Sequence, residues 1–105
     1  MNPVYWYWEW VTGSSEVTVT MSLDWHKTYL VAGGLTLTEG GDYAHVYIAE
    51  VCYYDGSDVV RCGIRDIPDD FDLSVHEFIS GAISVTVKLK TRGGKHRAEG
   101  AVYQL

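Results

Sequence analysis

The four histidines are the side chains best suited to acid–base or metal chemistry, but their spacing favours neither. They are His26, His45, His76 and His96. No pair shows the HxH or HExxH spacing that brings two imidazoles to one metal ion. His76 and Glu77 could form a cluster with Asp72 in a fold, but an isolated histidine on a loop is usually solvated. We therefore predict no catalytic residues. A small enzyme of unknown chemistry ranks below the two binding functions that are described at the end of this section.

The acids between positions 66 and 72 offer the oxygen ligands that calcium prefers. They are Asp66, Asp69, Asp70 and Asp72. Their spacing matches no EF-hand loop, and the terminal bidentate Glu is missing. A solvated acidic loop is the simpler interpretation, so we predict no bound metal and no cofactor. The serines lie in turn or cap contexts, without the sharp elbow that exposes a nucleophile.

The two cysteines, Cys52 and Cys62, lie in neighbouring predicted strands on either side of YYDGSD. Whether they meet depends on the loop length. A two-residue turn at 55–56, the favoured type I′ signal, makes them project from opposite faces, and so does a four-residue loop. An odd loop such as 56–58 places them directly opposite each other. We expect two free thiols, and a structural zinc site is disfavoured because no second cysteine pair or CxxC is present.

Basic residues are concentrated in KLKTRGGKHR, residues 88–97, which holds five of the eight in the chain. They are Lys88, Lys90, Arg92, Lys95 and Arg97. Arg and Lys suit phosphate contacts, but no aromatic residue for base stacking flanks them in the sequence. An exposed hairpin whose lysines protect a sheet edge is the simpler interpretation. Arg92, Lys95 and Arg97 are secondary candidates for a partner-binding site.

Residues 4–11, VYWYWEWV, hold five aromatic side chains within six positions. In a strand, one face carries Val4, Trp6, Trp8 and Trp10, and the other carries Tyr5, Tyr7, Glu9 and Val11. Because only the second face carries a charge, the tryptophan row is predicted to point mostly into the core. The outward residues Tyr5, Tyr7 and Glu9 are then predicted to contact another protein chain or a second copy, since a terminal strand is often a sheet edge.

Most of the chain alternates apolar and polar residues, as in EVTVTMSLDW and ISVTVKLK. This period of two is typical of β-strands with one buried face, and such strands must position the candidate residues above. The predicted core positions are Val17, Val19, Met21, Leu23, Ile83, Val85 and Val87. Turn sequences rich in Gly, Asp and Ser separate about seven or eight strands, at 4–11, 16–25, 28–32, 35–38, 43–54, 59–65, 82–91 and 97–104. Short strands at this spacing predict an all-β fold, an antiparallel β-sandwich or a partly closed barrel.

Residues 74–80 differ from the rest. Ser74 followed by Glu77 resembles a helix-capping box, which predicts at most one short helix near 74–80. An irregular acidic loop between two sheets is the alternative.

Composition and charge narrow the function classes. A chain of 105 residues fits one domain, 1–105, and 47% hydrophobic content is typical of soluble globular proteins. The net charge of −6 disfavours nonspecific nucleic-acid binding. The first ten residues lack a signal peptide's basic region, and no apolar run approaches the roughly 20 residues of a membrane span. We expect a whole cytoplasmic protein without membrane contact.

These observations favour a non-enzymatic protein-binding module. It would be a small acidic inhibitor or adaptor of the phage or mobile-element type, hence a viral protein, or a self-associating structural protein. Tyr and Trp are favoured interface anchors because they bury a large area at low entropic cost. The alternative is a carbohydrate-binding β-sandwich with exposed Trp and Tyr rings. The sequence does not identify any small-molecule ligand.

Overall fold

The computed structural model of the protein describes residues 3–39, 43–54, 56, 60–64 and 74–105. The predicted acidic loop at 66–72, with its calcium-like spacing, lies outside the described residues. Within the described part, no helix is long and apolar enough to cross a membrane.

In the described residues, eight antiparallel strands form two four-stranded sheets that pack face to face. The strands are β1 (Pro3–Thr12), β2 (Ser15–Ser22), β3 (Thr28–Glu39), β4 (Tyr43–Tyr54), β5 (Val60–Ile64), β6 (Ser74–Ser80), β7 (Ala82–Arg92) and β8 (Lys95–Gln104). The front sheet has the order β1-β8-β3-β6, and the back sheet has the order β2-β7-β4-β5. The predicted all-β antiparallel sandwich is confirmed.

The period-two pattern of β2 and β7 correctly identified the inward face of the back sheet. Met21, Val85 and Val87 are buried in the core. Val17, Val19 and Leu23 pack against the core but stay partly exposed, because β2 is an edge strand with only one neighbour in the described sheet. Ile83 is also only partly buried.

The sequence AGG at 32–34 is not a turn, and the two strands predicted around it are one strand, β3. Gly33 is packed from the inner side: a methyl group there would lie 3.4 Å from Val46 Cγ1 and 3.5 Å from Val75 Cγ1. Both distances are those of ordinary van der Waals contact, so Gly33 continues the strand and does not reverse the chain.

The prediction allows at most one short helix near 74–80, and none forms there, because this segment is strand β6 along the edge of the front sheet. Val75 and Ile79 face the core, while His76 and Phe78 point to solvent. A capping box is a local preference. It is outweighed here by the ladder of hydrogen bonds to β3 and by the burial of Ile79.

The prediction of free thiols is also wrong, because Cys52 and Cys62 form a disulfide. The register of β4 and β5 pairs Tyr54 with Val60 and Cys52 with Cys62. Five residues, 55–59, therefore separate the last paired residues, which is the odd spacing that places the two sulfurs on the same face.

Candidate binding surface

The row of tryptophans on β1 points to solvent, which reverses the predicted orientation of this strand. The side chains of Trp6, Trp8 and Trp10 are 59%, 47% and 51% exposed, whereas Val11, on the opposite face, is 4% exposed. A charge marks the outer face of a strand only in the middle of a sheet. On an edge strand, side chains of the inner face can also reach water. Glu9 lies on the inner face of β1 and is still exposed.

Tyr7 fills the space between the sheets beneath β8. An added methyl group on Gly100 would lie 2.5 Å from Tyr7 Cε1, so the ring lies directly on the glycine backbone. The Tyr7 hydroxyl is buried without a hydrogen-bond partner. Burial raises the pKa of Tyr7 to about 12, with a smaller contribution from the charge of Glu9. Tyr7 is therefore a packing residue.

Tyr5 links the two sheets, because its hydroxyl donates a 2.8 Å hydrogen bond to the carbonyl oxygen of Ser22 on β2. Its side chain stays 39% exposed. The assignment of Tyr5, Tyr7 and Glu9 to a partner contact remains a prediction. The structure gives two of these three side chains a role inside the sandwich.

Two cations from β8 lie against the exposed indoles. Lys95 Nζ is 4.9 Å from the ring centroid of Trp10, and Arg97 Cζ is 5.5 Å from that of Trp8. Both distances are within the range of cation–π attraction. These contacts could not be predicted from the sequence, because β1 and β8 are the first and last strands and come together only by pairing in the sheet. We call the surface formed by these two cations with Trp6, Trp8 and Trp10 the tryptophan face.

The basic segment 88–97 does not form one surface, because β7 belongs to the back sheet and β8 to the front sheet. Lys88 and Lys90 instead contact Glu16, at 3.1 Å and 3.6 Å. The hydrogen bond from Lys88 and the nearby positive charges lower the pKa of Glu16. Arg92, at the end of β7, is exposed. Only the two cations on β8 belong to the tryptophan face.

A shallow groove of about 420 Å³ runs beside Trp6 on the outer side of the front sheet. Its floor is made of small residues on the central strands, including Ala32, Gly34 and Ala101, and its walls include Trp6, Tyr103, His76 and Glu99. The small residues on β8 and β3 lie between Trp6 on β1 and His76 on β6, and Glu99 and Tyr103 flank Ala101 along β8. Its volume is within the usual range for small-molecule sites.

Among the described residues, the groove contains no acid–base pair built on His76. Adjacent residues of a strand point to opposite faces, so Glu77 faces away from the groove side of β6. The register places Glu99 two strands and two residues away from His76, or about 12 Å between Cα atoms at standard sheet spacings. This arrangement suits contacts with a ligand more than proton transfer between the two side chains.

Comparison of the chain with known protein families, with characterised proteins and with solved structures found no match. The function must therefore be inferred from the chemistry of these surfaces.

Proposed function

We propose that the chain is a non-enzymatic binding module that holds a protein partner on the tryptophan face. The exposure of Trp6, Trp8 and Trp10 in one row is the observation that carries this proposal. Soluble proteins seldom display a contiguous row of large apolar side chains unless another molecule covers it.

The composition of the face favours a protein over a sugar. Trp and Arg are the residue types most enriched among interface hot spots. Lys95 and Arg97 each lie over one indole ring. A ring with a cation on it has one face fewer for stacking on a sugar, while a mixed aromatic and cationic surface suits a protein with apolar and acidic groups.

The position of β1 also supports a protein partner. Among the described strands, β1 pairs only with β8, so its other edge has backbone groups available to an added strand. Strand addition supplies main-chain hydrogen bonds, and side chains on alternate positions supply specificity. A second copy of the chain could pair with β1 in the same way, so the proposal includes self-association.

The small size and net charge of −6 support the class of acidic inhibitors or adaptors from phages and mobile elements. Arg97 Nη2 lies 3.7 Å from Glu99 Oε2, so the two cations of the tryptophan face and this carboxylate together carry a net charge of +1. We infer that the partner surface opposite β8 is acidic. A cytoplasmic location belongs to the same proposal, although a disulfide seldom persists in a reducing compartment.

Replacing Trp8 or Trp10 with Ala is expected to weaken partner binding by about 10-fold or more, as for other interface hot spots, with little change in thermal unfolding. The matched control is Trp25→Ala. That ring is 40% exposed, lies in the turn after β2, and contacts His26 and Tyr54 instead of the tryptophan face.

The measurement is quantitative capture from native lysate with wild type and the three variants, followed by affinities for the purified captured protein. Sedimentation velocity measures self-association in parallel. Equal loss of binding in Trp25→Ala would show that the effect is not specific to the tryptophan face. Unchanged capture and self-association in both β1 variants would reject this surface.

The groove beside Trp6 favours carbohydrate binding as a second candidate function. Among the described residues, cations lie over the rings of Trp8 and Trp10, while Trp6 lies beside Glu99 and His76, which offer polar groups at the groove walls. Trp6→Ala is expected to abolish oligosaccharide-induced changes in tryptophan fluorescence, whereas Trp10→Ala should retain them. The absence of any such change for wild type across a panel of neutral and acidic glycans would eliminate this candidate.

A further inference from the structure

We propose that the reduced form of the chain binds one thiophilic divalent cation, with Zn²⁺ the expected ion, through Cys52, Cys62 and Glu50. Formation of the Cys52–Cys62 disulfide would release the ion. This site lies on the back sheet and is independent of the tryptophan face, and it replaces the prediction that the chain binds no metal.

The register of β4 and β5 brings the three ligands together. Cys52 and Cys62 are directly opposite, and Glu50 precedes Cys52 by two residues on the same strand face. One ligand atom from each of the three residues lies within 4.8 Å of the other two. Among the described residues, this is the one group of three potential metal ligands found at such distances.

The distance between Glu50 and Cys52 already matches a tetrahedral zinc site. Glu50 Oε1 lies 3.6 Å from Cys52 Sγ. Zinc bonds of about 2.3 Å to sulfur and 2.0 Å to oxygen require a separation of about 3.5 Å between these atoms in a tetrahedron. The two sulfurs, by contrast, must move apart to about 3.8 Å. Cys62 is exposed on an edge strand, so its side chain can rotate to that position after reduction.

A cross-link between β4 and β5 would stabilise β5 in both the oxidised and the reduced chain. Every residue of Val60–Ile64 is exposed, and Ile64 is 83% exposed. The strand therefore buries no side chain that would hold it against β4. Soft thiolate ligands select ions such as Zn²⁺, and an ion shared by Cys52 and Cys62 would connect the two strands where reducing conditions remove the disulfide.

The exchange balances in two steps. A dithiol or phosphine reductant supplies two electrons, with two protons from the reductant or water, and converts the disulfide to two thiols. Binding of the divalent ion then releases the two thiol protons, while the Glu50 carboxylate binds as an anion. Reoxidation by a low-molecular-weight disulfide removes two electrons from the thiolates, forms the sulfur–sulfur bond and frees the ion, while the oxidant takes up two protons and becomes two thiols. With three protein ligands, the fourth position is left to water, so the coordination shell stays open.

Titration of the intact chain with Co²⁺, a spectroscopic substitute for Zn²⁺, tests the proposal. The chain is reduced with a phosphine, and the reductant is removed under anaerobic conditions. We expect one Co²⁺ per chain with thiolate-to-metal charge-transfer absorption, lost on addition of one equivalent of Zn²⁺. The disulfide form should show no such absorption.

Glu50→Gln is expected to reduce the affinity by about 10-fold or more, since even outer-shell partners of metal ligands have effects of that size. Glu99→Gln, the same change on the front sheet, should leave it unchanged. Cys62→Ser should abolish the charge-transfer band, with circular dichroism checking its fold. No charge-transfer absorption in the reduced wild type, equal affinity in Glu50→Gln, or one ion per two chains would each overturn the site.

Discussion

Val85→Asp is expected to lower the free energy of unfolding by about 4 kcal/mol or more, as for other unpaired charges placed in a core. Val85 is fully buried on β7, a central strand of the back sheet. The carboxylate would lose its hydration within the hydrophobic core cluster. Chemical denaturation followed by circular dichroism measures the effect, and complete failure to fold would agree with it.

The matched variant is Val19→Asp on β2. This strand pairs with β7, but it lies at the sheet edge and Val19 is only partly buried. The new carboxylate can keep part of its hydration, so the expected loss is below about 2 kcal/mol. Equal losses in the two variants would mean that the core does not lie where the structure places it.

Gly100→Ala is expected to lower the free energy of unfolding by about 1–3 kcal/mol through overpacking. The added methyl group would lie 2.5 Å from Tyr7 Cε1 and 2.8 Å from its Cζ. The ring cannot move away easily because Tyr7 is packed between the sheets. Gly33→Ala on the neighbouring strand is the control. Its nearest neighbour would be Val46 Cγ1 at 3.4 Å, so only a small effect is expected.

A double-mutant cycle isolates this contact. Tyr7→Ala removes the ring, and Gly100→Ala should then cost nothing or stabilise the strand, because Gly is less favourable than Ala in a strand interior by about 0.5–1 kcal/mol. If the cost of Gly100→Ala is the same with and without the Tyr7 ring, the ring does not lie over this glycine.

The sequence alone determined the class of fold. The alternation in β2 and β7 encodes strands with one apolar face, because neighbouring side chains of a strand point to opposite sides. The turn between β7 and β8 could also be predicted from RGG at 92–94. In the structure, Gly93 and Gly94 both have φ of 78°, a conformation that other residues adopt at a cost. These features depend on local sequence, which is why they could be predicted.

The conformation of residues 74–80 and the orientation of β1 depend on where each segment lies in its sheet. The capping box at 74–77 was a real local signal, but pairing with β3 satisfies more backbone groups than a short helix would. The period-two pattern of β1 left two orientations open. The charge of Glu9 did not choose between them, because only the topology shows that β1 is an edge.

The proximity of distant residues was decided by the tertiary structure alone. Whether Cys52 meets Cys62 depends on the parity of the connecting loop, and a shift of one residue would send the sulfurs to opposite faces. The cations of β8 reach Trp8 and Trp10 because the first and last strands pair. Local sequence specifies which residues can form strands and turns, whereas strand order and register depend on the free energy of packing the whole chain.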